Sequence, residues 1–238
     1  MSVVVLQTES QIRQARKAMR RRSVSGRPAE WLCRLMNACG YRRRFTGDFI
    51  KSWDVWRTAE FLETQLGKHE PIVDFGAYQS EILPVLGKMG FQALHGIDLN
   101  PELAAASYAS QMRLTVGDFY QTPYASESFA AVTSISAIEH GLDIPRLFQE
   151  VSRILRPGGF FLCSTDYWPD KVDTTGIKVF DLSWTVFSAA EIAQLIEEAA
   201  RVGLHPVGSA SYESSERVIS FADRQYTFAW LALVKRGE

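Results

Sequence analysis

The 238-residue sequence predicts an α/β fold: a mostly parallel sheet with helices on both faces, an antiparallel edge strand and an amino-terminal helical extension. Three observations predict it. From residue 72 onward, short apolar β-branched runs alternate with segments of helical period, the pattern of a parallel sheet whose crossovers are helices. The last two apolar runs have no helix between them, which predicts an antiparallel pair. The first three runs each carry an Asp at or near their carboxyl ends, where ligands of such sheets bind.

The elements follow in order. "PIVDF" is the first strand of this body, and residues 79–89 form a short helix. "QALHGID" (92–98) is the second strand and residues 101–110 the second helix. "RLTVGD" (113–118) and the small, β-branched "FAAVTSIS" (129–136) are the third and fourth strands. Leu147, Phe148, Val151, Ile154 and Leu155 mark a helix, and "RPGG" (156–159) turns tightly into strand "FFLCSTD". Ser188 and Glu191 form a capping box. It opens a helix of Ile192, Leu195, Ile196, Ala199 and Val202, which stops at Gly203. Residues 204–212 and 225–234 complete seven strands.

The chain divides into an extension or cap, residues 1–66, and a body, residues 67–238. Ser10 caps a helix bearing Ile12, Ala15 and Met19. Pro28 opens a second with Trp31, Leu32, Leu35, Met36 and Cys39. A third covers 47–66, with Trp53 and Trp56 on one face, as core residues or as the lining of an acceptor pocket. Residues 10–57 hold thirteen Lys/Arg against three acids. Such an arm either meets an anionic partner or is a solvated helical cap on an acidic body.

Composition narrows the class. With 46% hydrophobic and 22% charged residues the chain reads as soluble and globular. No apolar run approaches the roughly 20 residues that span a bilayer, and no export signal is evident, so a cytoplasmic setting is expected. Three cysteines without a CxxC pair and four scattered histidines give no disulfide framework and no metal site.

The strand ends carry the chemistry. Asp74 and Gly76 follow the first strand, Asp98 the second and Asp118 the third. An acid in the place of Asp98 binds ribose hydroxyls. The first turn, G-A-Y-Q-S-E, lacks the later glycines that let a pyrophosphate approach the backbone. A nucleoside without phosphates is expected, with Asp74 facing a cationic group, and S-adenosyl-L-methionine (SAM) meets both demands.

Residues 70–235 resemble the class I SAM-dependent methyltransferases, of Rossmann-like fold and small-molecule type. The resemblance rests on "VDFGAY", "GIDLNPEL", "VGDFYQTPYASESFAAV" and "ISAIEHGLD…LFQEVSRILRPGGFFL", in that order. It implies a cofactor set of Asp74, Gly76, Asp98, Leu99, Asp118, Phe119, Ser134 and Ile135. Asp98 then lies at the ribose, Leu99 against the adenine, and Asp118 at its amino group with Phe119 beside it. The sequence departs from the family at Tyr78 and Ser80, where further glycines are usual, and at Ala130, where an acid is common.

The implied reaction is in-line displacement, to which the protein contributes mainly positioning. A base helps where the acceptor is a hydroxyl. His140 and Glu139, just past the fourth strand, are the candidate catalytic groups; each is otherwise hydrogen-bonded structure. Residues 166–187 form a long insertion, a lid or a packed surface loop, in which Tyr167, Trp168 and Trp184 could stack on an acceptor. With Trp53 and Trp56, Tyr167 and Trp168 are the candidate substrate contacts. The expected acceptor is a small molecule: a sugar, lipid-linked or aromatic hydroxyl. Two other readings stay open, a SAM-binding protein without catalysis and a nucleic-acid methyltransferase using the basic arm. "SISA" (134–137) stands where amino-group nucleic-acid enzymes carry Asn/Asp-Pro-Pro-aromatic, which favours the small molecule. Oligomeric state stays open.

Overall fold

Alternation of side chains along each strand feeds two cores, one on either face of a single sheet. Ile72 enters one core and Val73 the other. The computed structural model describes residues 1–25, 49–106, 108–179 and 181–237. Strands β2 (Ile72–Phe75), β3 (Leu94–Asp98), β4 (Arg113–Val116), β5 (Phe129–Ile135) and β6 (Leu155–Tyr167) pair in parallel. The long β11 (Arg224–Lys235) closes against β6 antiparallel. With the edge strand β1 (Val3–Val5), the order is β1-β11-β6-β5-β2-β3-β4. The expected seven-stranded, mostly parallel sheet with an antiparallel edge is present.

Short strands β9 (Leu204–Pro206) and β10 (Ile219–Phe221) also pair with β11, so the antiparallel tail is present with an extra hairpin. A two-stranded hairpin, β7 (Lys178–Val179) and β8 (Leu182–Ser183), lies within the insertion after β6. Helices α1 (Glu9–Arg21), α2 (Ser52–Gln65) and α3 (Ile82–Lys88) pack on one face; α4 (Ile144–Ile154) and α5 (Ala189–Arg201) pack on the other. In α5, Ile192 and Leu195 are buried, worth about 1.5–3 kcal/mol each, and Ser188 with Glu191 caps the helix as expected.

The structure corrects several boundaries. Val3–Val5 is not part of a helical cap: its β-branched run pairs with Leu231, Trp230 and Ala229 and covers the edge of β11. α1 starts two residues earlier than Ser10 implies, with Thr8 at the N-cap, where Gln11 Oε1 accepts from the Thr8 N–H at 3.2 Å. The helix expected over 101–110 is replaced by two 3₁₀ turns, Pro101–Ala105 and Ala109–Gln111. Only Leu103 is buried within these turns, too little apolar surface to hold a longer helix. "RPGG" does turn, but as a bulge inside β6: the β5–β6 register jumps from Phe129↔Leu155 to Ala131↔Phe160, with Gly158 at φ 76°. The helix expected from Pro28 to Cys39 lies outside the described residues.

The basic extension is fastened by one buried ion pair. Arg16, 1% exposed, grips Glu81 with Nη1–Oε1 at 2.8 Å and Nη2–Oε2 at 3.0 Å. Its remaining donors reach Ser52 Oγ (2.7 Å) at the start of α2 and Ser25 Oγ (2.8 Å). Glu81 stands at the N-cap position of α3, its carboxylate turned to Arg16, directly after the turn that follows β2. Losing one partner of such a pair strands a buried charge. Arg16→Ala is therefore expected to cost about 3–5 kcal/mol in urea unfolding. The doubly apolar Arg16→Met, Glu81→Leu should recover most of that loss. A single-variant cost below about 1 kcal/mol would show that the pair does not fasten the extension.

Candidate active site

Neighbouring parallel strands lie about 4.8 Å apart, so the carboxyl ends of β4, β3, β2, β5 and β6 form a track roughly 19 Å long. Asp118, Asp98, Gly76, the 135–140 turn and the 164–167 segment stand along it in that order.

The β3 end is built to bind. Asp98 Oδ2 accepts from the Tyr78 N–H at 3.0 Å and Oδ1 from the Asn100 N–H at 2.8 Å, which aims the carboxylate and leaves each oxygen further lone pairs. Leu99 (66% exposed) and Val116 (47%) offer an apolar surface at the ends of β3 and β4. Asp118 is exposed and accepts from the Tyr120 N–H, while Phe119 lies underneath, stacked on Phe75 at 5.5 Å.

The turn after β2 departs from a glycine-rich loop yet makes the same sharp bend. Gly76 takes φ 81°, and a Cβ there would stand 3.3 Å from Ala137 Cβ. Gln79 adopts φ 61°, a conformation that glycine favours. Tyr78 swings away to donate to Glu102, and Tyr108 Oη donates to Ala77 O at 2.8 Å, bracing the loop from outside. Gly96 lets the loop sit close: a Cβ would meet Ala77 Cβ at 2.8 Å and Leu83 Cδ1 at 2.9 Å. Asp74 lies beneath, fully buried, accepting from Thr133 Oγ1 at 2.6 Å. Burial pushes its carboxyl up to about 7.

The far end of the track, past β5 and β6, holds a second polar centre. Ser134 is buried and Ile135 half-buried in β5, and Ser136 turns the chain at φ 50°. Its N–H donates to Ser164 Oγ at 3.1 Å. Glu139 is 1% exposed, and its Oε2 makes no hydrogen bond. Burial first, then the nearby Asp166, raises its carboxyl to about 8. His140 is half-buried, and burial lowers its pKa, against the pull of Asp166, so it is neutral near pH 7 and able to accept a proton. Asp166 takes a 2.7 Å hydrogen bond from Trp184 Nε1.

Two of the centre's groups come from the extension. Asp54 of α2 is fully buried and accepts from Ser164 Oγ at 2.8 Å; burial raises it to about 6. Lys51 donates to Ser136 Oγ at 2.6 Å. Sequence reasoning named neither, nor Asp166. The signals were there: Asp54 interrupts an apolar helix face, and Asp166 follows β6's apolar run as Asp98 ends β3.

The aromatic candidates stand further back. Trp53 and Trp56 are buried in the core, with Arg57 and Arg22 over their rings. Tyr167 is fully buried and donates to Tyr212 O at 2.5 Å. Trp168 is half-buried beneath Arg217. A cleft of about 850 Å³ opens elsewhere, at the amino ends of β3, β4 and β5 beside His69, His95 and Arg113, away from every residue of the track. Among the described residues no His, Cys, Asp and Glu group is arranged to hold a metal ion, and no helix is long and apolar enough to cross a membrane.

Glu139 makes stability depend on pH. Its unfolded value is near 4.5 and its folded value near 8, so in that window the folded chain keeps a proton that the unfolded chain has released. Its contribution to stability therefore falls as pH rises from 4.5 to 8. Glu139→Gln, neutral and isosteric, removes the effect. In calorimetric melts the variant should unfold several degrees above the parent at pH 8 and together with it at pH 4.5. A parent that melts higher at pH 8 would show a stabilised, ionised Glu139.

Residues 73–163 match a family model described as "Methyltransferase domain". Cycloartenol-C-24-methyltransferase of Arabidopsis thaliana is 25% identical over 156 residues, 58% of this chain and 45% of that protein. Demethylmenaquinone methyltransferase of Symbiobacterium thermophilum is 25% identical over 121 residues, 47% of this chain and 48% of its own. The chain thus spans about half the length of the curated relatives it matches. A crystal structure of geranyl diphosphate C-methyltransferase from Streptomyces coelicolor A3(2), in complex with Mg2+, geranyl diphosphate and S-adenosyl-L-homocysteine, superposes with a TM-score of 0.53. It covers 75% of this chain and 78% of that one at 18% identity, a likeness of fold. Residues 73–163 thus match a methyltransferase-domain model, and the fold, with its strand-end acids and bent β2 turn, is shared with methyltransferases of known structure, one of them solved in complex with S-adenosyl-L-methionine.

Proposed function

We propose that the protein transfers a methyl group from SAM to a small-molecule acceptor seated at the carboxyl ends of β5 and β6. One observation carries this reading. A nucleoside-binding end at β3 and β4 and a proton-accepting centre at β5 and β6 lie on one track, with the Gly76 turn between them. The named relatives act on small molecules, a sterol precursor and a demethylmenaquinone among them, which supports the acceptor class.

The residues present fit the cofactor. Asp98 would receive the ribose hydroxyls, Leu99 and Val116 the adenine, and Asp118 its amino group, with Phe119 beside it. Gly76, Ser134 and Ile135 would hold the methionyl part. When bound, SAM supplies a methyl already activated by its sulfonium. The chain then holds the acceptor in line and takes its proton. His140 is the base, neutral at working pH; Asp166 stabilises the imidazolium that forms. Of the expected aromatic contacts, Trp168 is half-buried and Trp53, Trp56 and Tyr167 are buried. The hydroxyl acceptor expected from the sequence is one nucleophile this arrangement serves; an amine is the other.

Calorimetry should show SAM binding in the low-micromolar range, about −7 to −8 kcal/mol, and no NAD binding. Asp98→Ala should weaken SAM by about 1–3 kcal/mol through lost ribose hydrogen bonds; an unchanged affinity would remove Asp98 from the site. A labelled-methyl screen across acceptor classes tests turnover itself, and SAM binding without transfer to any acceptor would favour a non-catalytic protein. With the acceptor found, His140→Ala should lower turnover at least about 30-fold while SAM affinity stays nearly intact. A drop under about threefold would leave catalysis to positioning alone.

A further inference from the structure

Three carboxyls, one lysine and one aromatic face meet at the acceptor end. Asp54, Glu139 and Asp166 are each 4% exposed or less. Lys51 Nζ lies 4.0 Å from the centre of the Phe228 ring, donates to Ser136 Oγ at 2.6 Å and stands 3.8 Å from Asp166 Oδ1. A π face, a hydroxyl oxygen and carboxylates on several sides are the surroundings an ammonium ion requires. The lysine side chain is 28% exposed, at the solvent edge of this seat, so its flexible stem can withdraw.

One cation does not complete the cluster. Glu139 Oε2 and Asp166 Oδ1 are buried and accept no hydrogen bond. Buried carboxyl oxygens without a hydrogen bond are costly, and Asp166 Oδ1 has only the Lys51 ammonium at 3.8 Å. The other titratable groups facing the seat are His140 beside Glu139 and Tyr226 of β11, which is close enough to Asp166 to raise its own pKa. Neither brings a permanent positive charge.

Resting on the methyl-transfer reading, we infer that the acceptor is an amine bound as its ammonium ion, and that Lys51 holds the cation seat until the acceptor's ammonium displaces it. Asp166 and the Phe228 face bind the incoming cation, and the carbonyl oxygen of the protonated Glu139 accepts a hydrogen bond from it. The ammonium passes one proton to His140, which exposes the nitrogen lone pair. The nitrogen then forms the new N–CH₃ bond as the sulfonium C–S bond breaks, the electron pair stays on sulfur, and the product leaves as the methylated ammonium. Asp54, held by Ser164, keeps the seat anionic from the α2 side. A neutral hydroxyl gains nothing from this charge, so an alcohol of the same shape binds less well.

The test is calorimetric, at fixed pH 7.5, on full-length protein saturated with S-adenosyl-L-homocysteine. The probes are benzylammonium and benzyl alcohol, which share their shape and differ in charge. Benzylammonium should bind at least about tenfold more tightly than the alcohol. Lys51→Met, which empties the seat, should tighten benzylammonium about tenfold and leave the alcohol unchanged. Asp166→Asn should weaken benzylammonium about tenfold, with S-adenosyl-L-homocysteine affinity within about twofold throughout. The two single substitutions guard against a misfolded variant. Equal binding of the two probes, or a Lys51→Met variant that binds benzylammonium no better than the parent, overturns the proposal. If the parent fails to bind S-adenosyl-L-homocysteine, the methyl-transfer reading falls instead. The same titrations without it still read whether the cation seat exists.

Discussion

The Arg16–Glu81 pair decides where the extension sits, and the far end of the site depends on that placement. A guanidinium 1% exposed is tolerable only with its donors engaged, and Arg16 engages partners from three segments at once: Ser25, Ser52 and Glu81. That requirement allows one docking of α1 and α2 on the sheet. Ser52 begins α2, so fixing it also fixes Lys51 and Asp54, its neighbours in sequence. The arm that reads in the sequence as a solvated or anion-seeking face thus delivers one cation and one acid to the carboxyl ends of β5 and β6.

Glu81 has a second consequence. It stands at the N-cap position of α3, immediately after the turn that bends through Gly76 and Gln79. The turn has one glycine where the family usually has more, and it keeps its shape through outside supports: Tyr108 on Ala77, Tyr78 on Glu102, and the close seat on Gly96. Conformational freedom lost from the sequence is replaced by tertiary restraint, at the cost of a left-handed Gln79. Tyr78 contributes through its backbone as well, since its N–H aims the Asp98 carboxylate.

Buried acids run along the whole track and trade stability for chemistry. Asp74, Asp54 and Glu139 are each raised chiefly by burial, to about 7, 6 and 8. A core built for stability alone would use apolar groups in their place. Asp74 is partly compensated by Thr133 and Asp54 by Ser164, although Asp74 Oδ2, like Glu139 Oε2, is buried without a hydrogen bond.

The sequence by itself determined the layers, the parallel order of the body and the acids at its strand ends. Each of these follows from short-range periodicity and from where an apolar run stops. It placed Asp98, Asp118 and the Gly76 turn for the same reason: strand ends are local features. It missed β1, because a three-residue valine run becomes a strand only when β11 is there to pair with it. It gave a helix over 101–110, because helical propensity is local, whereas the packing that would support such a helix is not. It could not gather Lys51, Asp54 and Asp166 beside Glu139 and His140. These residues come from separate stretches of the chain, and only the closed sheet, with α2 pinned through Arg16, brings them within a few ångströms of one another.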